Sequence, residues 1–140
     1  MKRKRRTEIL IRSKNNLAKM LSDEINNKYN VEIIEDSNHG LVMIKKRDTA
    51  KKELFYLGEV LVTETKVAIN GKIGLGIVIG DNEELSKDLA IIDAAYNSNL
   101  QEVGSWENKL INEEKKINAY ENEITKRIMK TKVDFKTMDV

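Results

Sequence analysis

Leu54-Phe55-Tyr56-Leu57-Gly58-Glu59-Val60-Leu61-Val62-Thr63-Glu64-Thr65-Lys66-Val67-Ala68-Ile69 runs into Asn70-Gly71 and then into Lys72-Ile73-Gly74-Leu75-Gly76-Ile77-Val78-Ile79. The two flanking pieces are rich in β-branched and aromatic residues, which fit a pleated surface. Asn-Gly between them is the strongest short-range hairpin signal, because both residues tolerate the positive φ of a type I′ turn. The fold is therefore read outward from an antiparallel hairpin over residues 54–69 and 72–79. Upstream, Val31 to Glu35 and Leu41 to Lys46 are shorter β-rich runs, separated by the turn formers Asp36-Ser37-Asn38-His39-Gly40. Five such residues in a row predict a second hairpin. Two hairpins give a four-stranded antiparallel sheet with one face under helices.

The flanks supply those helices. Between Thr7 and Lys28, Leu10, Leu17, Leu21 and Ile25 recur on one face, which predicts an N-terminal amphipathic helix. Asp81-Asn82-Glu83-Glu84 places an N-cap at Asp81 with a Glu three residues on, and Leu85, Leu89, Ile92 and Tyr96 then recur at helical spacing. After a break bracketed by Ser98-Asn99 and Gly104-Ser105, Trp106, Leu110, Ile117, Ile124 and Ile128 predict a last helix reaching about Lys132. Such a helix is roughly 40 Å long, about the diameter of the whole domain, so it overhangs the globule or lies on another subunit. The class is α+β: a four-stranded antiparallel sheet of two hairpins, an N-terminal helix and two C-terminal helices. Residues 1–140 form a single domain, with residues 1–6 a basic flexible terminus and residues 133–140 a tail.

Composition bounds the function. Leu, Ile, Val and Phe make up 39 of the 140 residues, enough for a core without disulfides or a structural metal. The absence of cysteine excludes thiolate nucleophiles, Cys-based zinc and iron–sulfur ligation, and agrees with a reducing cytoplasm. Neither a long apolar run nor a signal-type segment follows Met1, so a cytoplasmic location with no membrane association is expected. The net charge of +2 conceals an asymmetry. Lys2, Arg3, Lys4, Arg5 and Arg6 carry five positive charges, which leaves residues 7–140 at −3. A nucleic-acid reader spreads basic residues over a folded face. Here they sit in one terminus, so a frayed, solvated end is the plainer reading, and a small nucleic-acid- or polyanion-binding module is the alternative.

No complete catalytic constellation is visible. The single histidine, His39, falls in the turn-forming cluster, and no Gly-x-Ser-x-Gly elbow presents a nucleophile. Asp36, Asn38 and His39 offer at best a weak hard-cation contact, and an imidazole-type metal site lacks further nitrogen ligands, so no metal is assigned. The glycines from Gly71 to Gly80 match neither the P-loop nor the dinucleotide spacing. Gly74 and Gly76 fall inside a strand, where they mark curvature or a packed contact, the other reading being a backbone approach to an anion. Glu59, Glu64 and Asp93 are the carboxylates available for acid–base work, although nothing in their spacing demands it.

Several segments carry a family resemblance. Leu54 to Glu64, Asn70-Gly71, Gly74-Leu75-Gly76, Gly80-Asp81 and Ala90-Ile91-Ile92-Asp93-Ala94-Ala95, in that order, resemble the PhnG family of phosphonate metabolism. Gly40-Leu41-Val42-Met43-Ile44 is similar to its first hairpin, and Val133-Asp134-Phe135-Lys136-Thr137-Met138 to its C-terminal signature. Lys136 stands where the family carries an aromatic, Asp139-Val140 departs from its usual ending, and Asn82 replaces a charged turn residue. The resemblance implies structural roles for Gly58, Gly71, Gly74, Gly76 and Gly80.

It also implies an accessory subunit of the carbon–phosphorus lyase core complex, with PhnI-like, PhnH-like, PhnJ-like and PhnL-like partners. In that family the complex makes ribose 1-methylphosphonate 5-triphosphate from ATP and methylphosphonate with release of adenine, so MgATP is a substrate of the complex. No cofactor is expected on this chain alone. Such a transferase needs an oriented phosphonate oxygen, stabilised oxocarbenium charge, a proton for adenine and Mg²⁺ on the triphosphate. This chain lacks those groups, so no catalytic residue is assigned and activity in isolation is not expected. Val133, Asp134, Phe135, Thr137 and Met138 are expected to dock on a partner, the PhnI-like chain, because apolar area at a terminus gains nothing from solvent.

Overall fold

The computed structural model of the chain describes residues 1–47, 50 and 53–138, with side chains as far as Lys132. Its elements run α1 (Arg3–Arg12), α2 (Leu17–Lys28), β1 (Glu32–Arg47), β2 (Leu54–Ile69), β3 (Lys72–Ile79), α3 (Glu83–Asn97) and α4 (Val103–Met138). The sheet is antiparallel in the order β1-β2-β3. At the β2–β3 turn Asn70 and Gly71 have φ of 51° and 78°, the pair of positive values that a type I′ turn needs.

Among the described residues the sheet has three strands, which corrects the expected four. Residues 36–40 do not reverse the chain, because β1 runs through them along the whole length of β2. A 16-residue partner offers a continuous ladder of backbone groups, and the turn formers are absorbed as register shifts between Ile33 and Glu35 and between Glu35 and Asn38. Local bonds hold the irregularity: the Ser37 N–H donates to Asp36 Oδ1 at 2.8 Å, and the Ser37 and Thr65 hydroxyls meet at 2.8 Å. The reversal falls between Arg47 and Leu54, which are themselves paired. Asp48, Thr49, Lys51 and Lys52 lie outside the described residues.

The helices also differ in detail. The N-terminal helix is two, α1 and α2, broken at Ser13–Asn16 where Asn16 adopts a left-handed φ of 54°. Asn82, not Asp81, caps α3, accepting the Leu85 N–H at 3.1 Å. The backbone of α4 remains helical to Met138, so residues 133–138 prolong the last helix.

Helix α3 packs chiefly on one face of β2 and β3. Thr63, Thr65 and Val67 face Val78, Gly76 and Gly74 across the ladder, and all six are buried. There α3 lies almost in backbone contact with the sheet. A Cβ added to Gly74 would meet Ala90 O and Ala94 N, and one added to Gly76 would meet Ser86 O and, at 2.6 Å, Ala90 N. Glycine on the strand and Ser86, Ala90 and Ala94 on the helix are what let the two backbones approach. The core continues through Leu21 and Ile25 of α2, Ile91 and Ile92 of α3, and Trp106 and Leu110 of α4. Trp106 Nε1–H donates to Glu24 Oε2 at 3.0 Å and ties α4 to α2.

Candidate partner-docking surface

β3 covers β2 only from Val62 to Ile69, so Leu54–Leu61 pair with β1 alone. This two-stranded arm, Gly40–Arg47 against Leu54–Leu61, carries exposed apolar side chains on both faces, and no helix among the described residues packs over them. Leu41, Met43 and Leu61 lie on one side, Val42 and Ile44 on the other, and Leu54, Phe55, Tyr56 and Leu57 follow past a register shift at Ile44/Lys45; all are exposed, Leu41 to 65% and Leu57 to 58%. An isolated two-stranded ribbon is marginal in water, and a contiguous apolar surface of this kind marks an interaction site. The signal was present in the sequence, since Leu41-Val42-Met43-Ile44 and Leu54-Phe55-Tyr56-Leu57 are unbroken apolar runs instead of alternating ones. Runs of that kind need cover on two faces.

A second apolar stripe lies on α4. Ile117 is half-buried, whereas Tyr120, Ile124 and Ile128 continue the same helical face in the open. With 36 residues α4 is about 54 Å long and overhangs the globule. The backbone of Val133, Asp134, Phe135, Thr137 and Met138 occupies its last turns; their side chains, like Asp139 and Val140 entirely, lie outside the described residues.

The carboxylates singled out from sequence do not converge. Glu59 is exposed on the arm opposite Met43, and Glu64 pairs at 3.8 Å with Lys66. Asp93 is buried in the core of the molecule. Its Oδ1 accepts from Arg6 at 2.7 Å, its Oδ2 accepts the Leu75 N–H at 3.0 Å, and Arg3 lies 3.1 Å away. One carboxylate thus fastens α1, α3 and β3 together. Burial lowers the pKa of the Arg6 guanidinium, an effect that the adjacent Asp93 opposes, and the same guanidinium stacks on Tyr96 at 4.1 Å from the ring centre. Arg5 makes a two-pronged pair with Glu114 at 2.6 and 3.0 Å, which raises the arginine and lowers the carboxylate from their usual values. The basic run is therefore largely folded into α1, and Lys2 and Lys4 alone of its five cations have no ion pair among the described residues. Nothing in the residue pattern signalled this, because Arg6 and Asp93 are 87 positions apart.

Gly71 supplies the turn and Gly74 and Gly76 the close approach to α3. Gly58 and Gly80 hold φ of 151° and 90°, with open space where a Cβ would point. The family model described as phosphonate metabolism protein PhnG matches residues 1–139. This chain belongs to the PhnG family. No curated protein matches it at a significant level. In this PhnG chain the buried Arg6–Asp93 pair joins α1 to α3, and the apolar side chains of the arm are exposed. No helix among the described residues is long and apolar enough to cross a membrane.

Proposed function

We propose that this PhnG family member is an accessory subunit of the carbon–phosphorus lyase core complex, supporting formation of ribose 1-methylphosphonate 5-triphosphate from ATP and methylphosphonate with release of adenine. The observation that carries the reading is the arm over Gly40–Arg47 and Leu54–Leu61, which exposes apolar side chains on both faces and gains stability only when another chain covers it. The partners are PhnI-like, PhnH-like, PhnJ-like and PhnL-like chains, and the PhnI-like chain is assigned to the arm and to the end of α4. Catalytic groups and MgATP binding are assigned to those partners, in keeping with the commitment of Asp93 to Arg6 and the scatter of the other carboxylates. The polyanion-binding alternative has lost most of its charge, since Arg3, Arg5 and Arg6 are engaged with Asp93 and Glu114.

The test is adenine release from MgATP and methylphosphonate. The purified chain alone is expected to release none above background, and its addition to the other subunits to restore turnover. Release by the isolated chain at the rate of the assembled complex overturns the accessory role.

A further inference from the structure

The sheet gathers one other set of chemically capable side chains. In the β1–β2 register His39 lies opposite Thr63, and in the β2–β3 register Thr63 lies opposite Val78, so the three share one row of the sheet. Past β3 the chain turns at Gly80, with φ of 90°, and is pinned over that row. The Gly80 N–H donates to Leu61 O at 2.7 Å, Thr63 Oγ1 donates to Gly80 O at 2.6 Å, and the Asn82 N–H donates to Thr63 Oγ1 at 3.2 Å. These bonds deliver Asp81 to the histidine, with Oδ1 2.7 Å from His39 Nε2. Glu83 opens α3 beside them, and one ligand atom from each of His39, Asp81 and Glu83 lies within 4.8 Å of the others. No other trio of this kind occurs among the described residues.

We propose that His39, Asp81 and Glu83 bind a divalent transition-metal ion of the zinc or manganese class, with a further coordination position open to solvent. One imidazole nitrogen and two carboxylates form a mixed donor set that such ions accept, whereas calcium and magnesium prefer oxygen alone. Metal–ligand bonds of about 2.0–2.2 Å place donors roughly 3.3 Å apart, and the separations here, from 2.7 Å to within 4.8 Å, bracket that spacing. Glu83, on an exposed side chain, has only to swing inward. Neither carboxylate is held by a lysine or arginine among the described residues: Asp81 has His39 as its ion-pair partner and Glu83 has none. Asn82 between them is occupied in capping α3, so the backbone carrying both ligands is fixed. The positive end of α3 opposes a cation, and two carboxylate charges outweigh it. Asp36 and Asn38, the neighbours that sequence reasoning set beside His39, bond to each other's segment at 3.1 Å instead.

This site is independent of the docking role and is tested on the isolated, untagged chain. His39 is the only histidine, so its imidazole NMR resonances are assigned without ambiguity. Titration with zinc chloride is expected to shift them to saturation with one-to-one stoichiometry by calorimetry, and manganese to broaden the same resonances. His39→Ala and Glu83→Gln, both at exposed positions and checked for unchanged circular dichroism, are each expected to weaken zinc binding at least about tenfold. Imidazole resonances that do not respond to excess zinc, or zinc affinity unchanged in either variant, overturn the site.

Discussion

Asp93 shows how a residue's role is set by its surroundings. On sequence it is an acidic residue within Ala90-Ile91-Ile92-Asp93-Ala94-Ala95, available in principle for proton transfer. In the fold it is enclosed and receives hydrogen bonds from Arg6 and the Leu75 N–H, so its charge is matched and its lone pairs are occupied. Removing one member of a buried pair leaves the other unpaired, which costs far more than an exposed pair is worth. Asp93→Ala is therefore expected to lower unfolding stability by about 3 kcal/mol, measured by urea denaturation of the full chain. A change of less than about 0.5 kcal/mol means that Arg6 finds water or another partner and that the pair does not anchor α1.

Among the elements, the arm and the end of α4 carry the exposed apolar side chains on which the proposed docking rests. β2 has two characters along its length: Val62–Ile69 lies under α3 between two strands, and Leu54–Leu61 has a single neighbour and no cover. Since the arm contributes little to the core, placing charge on it should leave the fold alone. The double variant Leu41→Lys with Phe55→Lys is expected to keep its unfolding free energy within about 0.5 kcal/mol and to lose co-purification with the PhnI-like chain. Truncation after Lys132, which removes the last turns of α4, is expected to leave the chain folded and to weaken the same association. Full retention of the partner by both variants places the docking surface elsewhere.

At the scale of the whole molecule, pH dependence is a sum of opposing carboxylates. Asp88 is held above its usual pKa chiefly by burial, against a hydrogen bond from the Ser22 hydroxyl at 2.6 Å and with Asp23 and Glu84 adding to the rise. Its folded state thus favours the proton, and the charged form at neutral pH is a destabilising term that fades as pH falls through the folded pKa. Glu114, held low by the hydrogen bond from Arg5, works the other way, since its contribution is lost as pH falls through its own folded pKa. Asp88→Asn is expected to be at least as stable as the parent at neutral pH, with its advantage shrinking toward acid pH, read from denaturation midpoints across the carboxylate range. An advantage that grows on acidification contradicts the assigned burial of Asp88.

Local signals were sufficient wherever the chain's own neighbours make the decision. Asn70-Gly71 fixed the β2–β3 turn because positive φ is a property of those two residues, and the 3–4 spacing from Leu85 to Tyr96 marked α3 because one helix face must be buried. The run 36–40 misled for the complementary reason. Turn formers state what a segment tolerates, while a strand as long as β2 settles whether the chain reverses or pairs on. Ser13–Asn16 broke the first helix with no strong stop signal beyond its asparagines, where Ser13 and Asn15 instead reach Glu113 of α4 at 2.9 and 3.0 Å. The same holds for both proposed surfaces. Apolar runs announced the arm, but its lack of cover depends on where β3 and α3 end. The joining of His39 to Asp81, and of Arg6 to Asp93, arises from contacts between residues 42 and 87 positions apart, which composition and local spacing do not encode and which the packing of α3 on the sheet and of α1 on α3 creates.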